Sequence, residues 1–201
     1  MTTTKMTEID AVNVMLASVA QSAVSSLVAP LTGTVALAKN ILDEVRREVL
    51  SEGWMFNTNY ELVMMPDAVT SKIALSDTIL RVDGSEGKNG TMDLTERANL
   101  LYDRYGQTYT FTKNVYVDVI YHQEFTDIPD VARNYIAKRA ARILVDRTFT
   151  EASTSTMFRQ EEFEARVKLK SHESTTRDAN ILSGSYFVSK MLNRRNPFNK
   201  R

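Results

Sequence analysis

Few residues in this sequence have the type and spacing that catalysis or metal binding requires. The two histidines, His122 and His172, fall on a predicted strand end and a predicted helix end, without the spacing of a histidine metal site. Cysteine is absent, which excludes disulfides, thiol catalysis and thiolate ligands. The G-x-S-x-G pattern of a hydrolase nucleophile is absent as well. We therefore expect no catalytic residue, no metal ion and no cofactor.

The segment Gly84-Ser85-Glu86-Gly87-Lys88 comes nearest to a phosphate-binding loop. Its glycine spacing differs from G-x-x-x-x-G-K, and Asn89 stands where a serine or threonine would hold magnesium. We therefore expect a solvated loop that a partner protein could still touch.

Carboxylates are the remaining candidates for chemistry. Glu161 and Glu164 lie one helical turn apart, but glycoside hydrolysis needs two carboxyl groups across a cleft, roughly 5–9 Å apart. Acids on one exposed helix more often form ion pairs, and Glu162–Arg166 and Glu164–Lys168 both have the i, i+4 spacing that favours one. These glutamates are therefore predicted to be structural.

Length and composition indicate a globular, mainly helical protein. The chain has 201 residues, of which 43% are hydrophobic and 25% are charged, and glycine (7) and proline (4) are both scarce. Lysine plus arginine and aspartate plus glutamate both number 25, so no basic excess supports DNA binding by the whole surface. Neither a signal peptide nor a membrane span is recognisable, so we expect synthesis and assembly in a cytosol.

Hydrophobic periodicity predicts four helices, at residues 7–19, 35–52, 129–147 and 155–173. Gly53 is placed to end the second helix in a left-handed conformation. Between the second and third helices, apolar and polar residues alternate at 60–64 and 115–122, which predicts strands. Residues 100–102 and 109–111 flank a turn and predict a hairpin.

The predicted fold class is therefore α+β, a mainly helical bundle with an inserted small antiparallel β region. Residues 1–55 and 126–174 are expected to form the bundle, and residues 56–125 the β insertion. Residues 175–201 are expected to form a basic C-terminal tail.

The fourth predicted helix has apolar residues on two faces. Phe158, Ala165 and Leu169 share one side, and Phe163 and Val167 fall roughly opposite at about 100° per residue. One face could serve the bundle and the other a neighbouring copy, although a helix packed on both sides within one subunit is an equally open alternative. A face shared head to tail between copies would produce a ring when the rotation closes.

Several segments, in order and at compatible spacing, resemble the tail tubular protein A (gatekeeper) family of short-tailed, podovirus-type phages. The resemblance covers about residues 8–170. Its segments are AVNVMLAS at 11–18, ILDEV at 41–45, GWMFN at 53–57, PD at 66–67, IP at 128–129 followed by Arg133 and YI at 135–136, AAR at 140–142, QEE at 160–162 and EAR at 164–166. Residues 20–23 lack the glycine and proline typical of the family there, and the chain beyond Ser171 has no clear match.

This resemblance implies a structural protein of the virion tail and not an enzyme. It implies a homo-oligomeric ring, a dodecamer, between the portal protein and the nozzle called tail tubular protein B, with a platform for tail fibres. Double-stranded DNA would pass through the lumen without specific binding. An alternative from another class is a virion-associated polysaccharide or cell-wall hydrolase that uses Asp118, Glu124 or Asp127, and a third is a helical DNA-binding accessory protein.

Two basic clusters could contact partners. Lys138, Arg139 and Arg142 lie on the flank of the third helix, where they could be solvated, could pair with a neighbouring subunit or could face DNA in the lumen. The C-terminal tail could be disordered or could order on docking to the portal. Its candidate contact residues are Arg194, Arg195, Lys200 and Arg201.

Overall fold

The computed structural model describes residues 5–28, 31, 33–149 and 152–176, without the side chains of 152–155. The described residues form α1 (Glu8–Ser18), α2 (Gly33–Ser51), α3 (Asp130–Thr148) and α4 (Ala152–Thr176). Between α2 and α3 lie β1 (Thr58–Met64), β2 (Ile79–Gly84), β3 (Leu94–Arg97), β4 (Leu100–Asp103) and β5 (Val115–Tyr121). The predicted α+β class is therefore confirmed, with each predicted helix present within a few residues of its expected bounds.

Local signals in the sequence set the ends of the first two helices. At the start of α1, Asp10 N–H donates to the Thr7 hydroxyl and Thr7 N–H donates to the Asp10 carboxylate, at 3.2 and 2.9 Å. The Thr7 hydroxyl also donates to this carboxylate at 2.6 Å, and this bond, together with that from Thr7 N–H, holds the pKa of Asp10 below its ordinary value. After α2, Gly53 adopts a φ of +79° and donates to the Leu50 carbonyl at 3.2 Å, as its position predicts.

Helix α3 lies at the centre of the bundle and packs against α1, α2 and α4. Four of its buried residues are alanines, which keep the helix narrow enough for close approach from several sides. The buried apolar residues of α3 are Ala132, Tyr135, Ile136, Ala137, Ala140, Ala141, Leu144 and Val145. The stripe predicted on α2 is buried against them, at Ala38, Ile41, Leu42, Val45 and Val49.

A buried arginine joins the chain before α1 to the turn before α3. The Arg133 guanidinium donates to the carbonyls of Ile128 at 2.6 Å, Met6 at 2.7 Å and Thr126. Its charge also lies over the Phe125 ring, with 5.8 Å to the centroid. Three carbonyl oxygens thus compensate the buried cation, which has no carboxylate partner in the described part of the chain.

The insertion contains a three-stranded antiparallel sheet in the order β1-β5-β2 and a β3–β4 hairpin. Strand β2 was not predicted, because its residues run into the glycine-rich loop. The predicted hairpin is wrong in its pairing, since β4 pairs with β3 across Ala98 and Asn99, both at positive φ. Residues 109–111 form no strand, and only a single bridge joins Asp103 to Thr108.

The insertion has its own apolar cluster, separate from that of the bundle, which includes Val82, Leu101, Phe111, Val117 and Val119. Asn57 fixes the sheet against the end of α2, since its amide donates to the carbonyls of Leu50 and Tyr121 at 2.8 and 2.9 Å. The domain limits given above stay a prediction.

Candidate interaction surface

Helix α4 presents one packed face and one uncovered face. Leu169 is 0% and Ala165 4% exposed where α4 packs against α3, and Phe158 is half-buried beside the same core. Phe163 and Val167, on the other side, are 62% and 49% exposed. The residues that the structure describes therefore leave this second apolar face open.

Ion pairs add to the contact of α4 with the bundle, because α4 buries few apolar side chains among its described residues. Lys138 on α3 contacts Glu161 on α4 at 2.6 Å, and Arg142 contacts Glu162. Arg142 also contacts Asp146 of its own helix at 2.8 Å. We call the ion pairs between α2, α3 and α4 the ionic seam.

Arg139 occupies the middle of the ionic seam. It contacts Glu48 of α2, and two further carboxylates lie slightly farther from its guanidinium, Glu52 at 3.7 Å and Glu162 at 3.8 Å. Burial lowers the pKa of Arg139, but the hydrogen bond to the Tyr135 hydroxyl and the nearby acids outweigh it and raise the pKa above its ordinary value. Its guanidinium therefore remains charged.

The seam differs from the local pairing expected along α4. Glu162 contacts Arg142 on α3, and Arg166 contacts Glu52, the residue after α2, at 3.0 Å, whereas the sequence spacing favoured a Glu162–Arg166 pair. The Glu164–Lys168 pair that the spacing also favoured is not formed in the described part of the chain, where Glu164 accepts a hydrogen bond from the Gln160 amide at 2.9 Å. The cations predicted on the flank of α3 are thus brought together, and each has an acidic partner within the chain. Their contact with a neighbouring subunit or with DNA stays a prediction.

The solvent-facing side of the sheet holds a small polar depression of about 130 Å³, lined in part by Tyr60, Arg81, Asp83 and Asp118. Asp118 accepts hydrogen bonds from the Ser85 hydroxyl at 2.6 Å and from the Glu61 backbone N–H at 2.8 Å. Ligand pockets typically enclose roughly 300–1,000 Å³, so this depression is small for an organic substrate. Asp118 instead anchors the bulge of β1 and the loop after β2.

The loop that resembles a phosphate cradle is closed onto β5. The Asn89 amide donates to the Tyr116 carbonyl at 2.6 Å, and Tyr116 N–H donates to the Asn89 side-chain oxygen at 2.8 Å. Lys88, which would contact phosphate in a true cradle, lies 3.4 Å from the Glu61 carboxylate. The Asn89 side chain thus pairs with the Tyr116 backbone as a neighbouring strand would, and the sequence gives no signal of this pairing.

The two histidines lie on different elements and form no site together. His122 follows β5 and is half-buried, and burial, with Arg46 nearby, lowers the pKa of its imidazole. His172 is exposed on α4. The described residues contain no group of three or more histidine, aspartate or glutamate side chains that could hold a metal ion.

Comparison with known protein families shows the family to which the chain belongs. The family model described as "Tube: Tail tubular protein" matches residues 9–179, which is most of the chain. The chain belongs to the tail tubular protein family. No curated protein matches it. The family resemblance inferred from the sequence is thereby confirmed, and the protein is a structural component of the phage tail.

The acids considered for hydrolysis do not meet in this tail tubular protein. Glu124 contacts Arg46 at 3.1 Å, and Asp127 is exposed in the turn before α3. Neither residue lines the depression that contains Asp118. The structure therefore does not assemble the three acids into one cleft.

Two further predictions concern surfaces of the tail tubular protein. Crossing a bilayer requires length and apolar character that no helix in the described part of the chain combines. The basic residues of the C-terminal tail, Arg194, Arg195, Lys200 and Arg201, lie outside the described residues.

Proposed function

We propose that this tail tubular protein is a ring-forming adaptor. The ring joins the portal to the tail nozzle and forms part of the channel through which the genome is retained and ejected. Membership of the tail tubular protein family is the observation that carries the proposal. The dodecameric subunit number and the platform for tail fibres come from the resemblance of the sequence segments.

The uncovered face of α4 supports a ring because it offers apolar area that the described residues of one copy do not cover. Phe163 and Val167 are large side chains one helical turn apart on this face. Burying such a side chain completely is worth about 1.5–3 kcal/mol. A contact that uses this face on one copy and a different surface on the next is head to tail, and it closes into a ring when the rotation permits.

The basic residues form a second proposed contact set. Lys138 is the most exposed of the three cations on α3, at 32% of its side chain, whereas Arg139 and Arg142 are 15% and 21% exposed. Lys138 is therefore the best placed of the three to reach a neighbouring subunit. In the tail, Arg194, Arg195, Lys200 and Arg201 are proposed to contact the portal.

The proposed function is mechanical and uses no covalent chemistry. The ring would assemble in the host cytoplasm and reside in the virion tail. No observation in the described residues favours the hydrolase alternative, since Asp118 is engaged in structural hydrogen bonds.

Electron microscopy of the purified chain mixed with portal rings tests the proposal. We expect a closed ring with a central channel seated on the portal, and a weakened ring for Phe163→Ser. Tyr105→Ser is the matched control, because Tyr105 is also a highly exposed aromatic residue but lies in the insertion. A chain that stays a single copy in the presence of portal and nozzle, or that cleaves a polysaccharide, would refute the proposal.

A further inference from the structure

The uncovered face of α4 has a basic border. Lys168 and Lys170 are exposed beside Phe163 and Val167, and neither contacts an acidic side chain in the part of the chain that the structure describes. Glu164 is the one acid among the exposed residues from 163 to 170. An apolar centre with basic edges is complementary to an occupant that carries acidic edges.

Acids that form no ion pair among the described residues lie at the end of the bundle where α1 and α3 both begin. The backbone N–H of Met6 donates to the Asp130 carboxylate at 2.8 Å, which brings the starts of these two helices together. Asp127 is exposed just before α3 and has no basic partner among the described residues, and Asp10 is exposed in the first turn of α1. We call Asp10, Asp127 and Asp130 the acidic edge.

The acidic edge and the basic border lie at the same height along the bundle. Arg142 of α3 contacts Glu162 of α4, and Arg166 of α4 lies over the Tyr135 ring of α3 at 5.9 Å. The two helices are therefore antiparallel, and the C-terminal part of α4 lies level with the start of α3. Copies placed side by side without a shift along the bundle axis would bring Lys168 and Lys170 to the height of the neighbour's acidic edge.

The two surfaces also lie on different sides of the subunit. Lys138 faces α4, whereas Asp130 of the acidic edge accepts from Met6 in the chain before α1. Eight residues at about 100° each place these two directions roughly 80° apart around α3. A contact between them would be heterologous, which is the type that forms rings.

We infer that the α4 face of one copy docks on the acidic edge of a second copy of this chain. In this contact Phe163 and Val167 bury their side chains against the start of α1 and α3, while Lys168 and Lys170 pair with Asp127 and Asp130. This inference rests on the proposed ring function and adds to it the identity of both contacting surfaces. The charges set the orientation of the copies and the apolar centre supplies most of the affinity.

Cross-linking of introduced cysteines tests the contact, because the natural chain contains no cysteine. The full chain carrying Lys168→Cys and Asp127→Cys together is mixed with portal rings and treated with a short bis-maleimide. We expect a ladder of covalent multimers from the double variant, and dimers only from a mixture of the two single variants. Lys113→Cys with Asp127→Cys is the matched control and should give monomers, because Lys113 is an exposed lysine of the insertion.

The outcomes separate this inference from the proposed function. Covalent dimers of Lys168→Cys alone would show an α4–α4 contact and would overturn the inference. Rings seen by electron microscopy without a ladder from the double variant would also overturn it, but would leave the adaptor function intact. If neither rings nor covalent multimers form, the adaptor function itself fails.

Reversal of the charges supplies a readout that does not depend on cross-linking. Each exposed ion pair contributes roughly a two- to fivefold change in affinity, so Lys168→Glu with Lys170→Glu should weaken assembly about tenfold or more. Adding Asp127→Lys to Lys168→Glu should restore part of the loss, and no restoration in that combination would count against the pairing.

Discussion

The two faces of α4 should respond to truncation in opposite ways. Leu169 is fully buried against α3, and Phe163 is 62% exposed on the same helix. Leu169→Ala removes buried methyl groups and leaves a cavity, which should lower the free energy of unfolding by about 3 kcal/mol. For a chain of this length the melting temperature should fall by roughly 6–12 °C.

Phe163→Ala should instead act on assembly. Because the described residues leave most of the side chain uncovered, its truncation should change the free energy of unfolding by about 0.5 kcal/mol. If the exposed 62% of the ring becomes buried between copies, the loss per contact is about 1–2 kcal/mol. This corresponds to roughly a five- to thirtyfold weaker contact.

Two measurements separate these effects. Denaturant unfolding followed by the fluorescence of Trp54, the one tryptophan, gives the stability of the isolated chain. Sedimentation velocity with portal rings gives the extent of assembly. If Phe163→Ala destabilises the isolated chain as much as Leu169→Ala does, the outer face is already buried within one copy. If it leaves both stability and assembly unchanged, the face is not an interface.

Three further substitutions test the account of the fold by denaturant unfolding. Arg133→Ala should lower the free energy of unfolding by about 3 kcal/mol because buried carbonyls lose a charged donor, and Arg133→Lys should recover only part of that stability. An unchanged denaturation midpoint would show that the Arg133 hydrogen bonds do not stabilise the fold. Gly53→Ala should cost about 1–2 kcal/mol, since φ is +79° and an added Cβ would lie 2.6 Å from Ile120 Cδ1; a stabilised protein would contradict this. Burial and Arg46 lower the pKa of His122, so its contribution to stability is present above its unfolded pKa of about 6.5 and is lost as pH falls below it. His122→Gln should flatten that part of the pH profile, and an identical profile would contradict this assignment.

The helical part of the fold was predictable because several local signals agree with the buried pattern. On α2 the predicted apolar stripe is the buried face, and Gly53 ends the helix in the conformation that its position indicates. On α4 the spacing of Leu169 and Phe163 separated the packed face from the open one. Hydrophobic periodicity predicts the buried face because one face of each helix must be removed from water.

The insertion was less predictable because its pairing depends on residues distant in sequence. The turn between β3 and β4 uses Ala98 and Asn99 at positive φ and contains no glycine, so the usual hairpin signal is missing. Asn89 pairs with Tyr116 in place of a continuing β2 strand, and a polar loop sequence does not reveal such a contact. Nothing in the sequence near Asp118 indicates its hydrogen bond with the Ser85 hydroxyl, because the two residues become neighbours only in the folded chain.

Ion pairs were predicted by residue type but not by partner. Spacing along one helix favoured Glu162 with Arg166, yet Glu162 contacts Arg142 of α3, and Arg166 contacts Glu52 in the turn after α2. A partner on a packed helix is partly shielded from water, so the attraction is stronger than between two residues exposed on one helix. Which helices become neighbours is set by the apolar core, and charge spacing alone does not contain that information.

The ionic seam also bears on how the proposed channel would pass DNA. Lys138, Arg139 and Arg142 each have a carboxylate of the same chain within ion-pair distance. A phosphate that approached them would compete with that carboxylate, so the cluster adds less affinity for DNA than three free cations would. Free cations repeated in every copy of a ring would add salt-dependent affinity for the genome and slow its exit. Cations paired within the chain help hold α4 on the bundle and add little affinity for DNA. Both properties suit a channel through which the genome must pass.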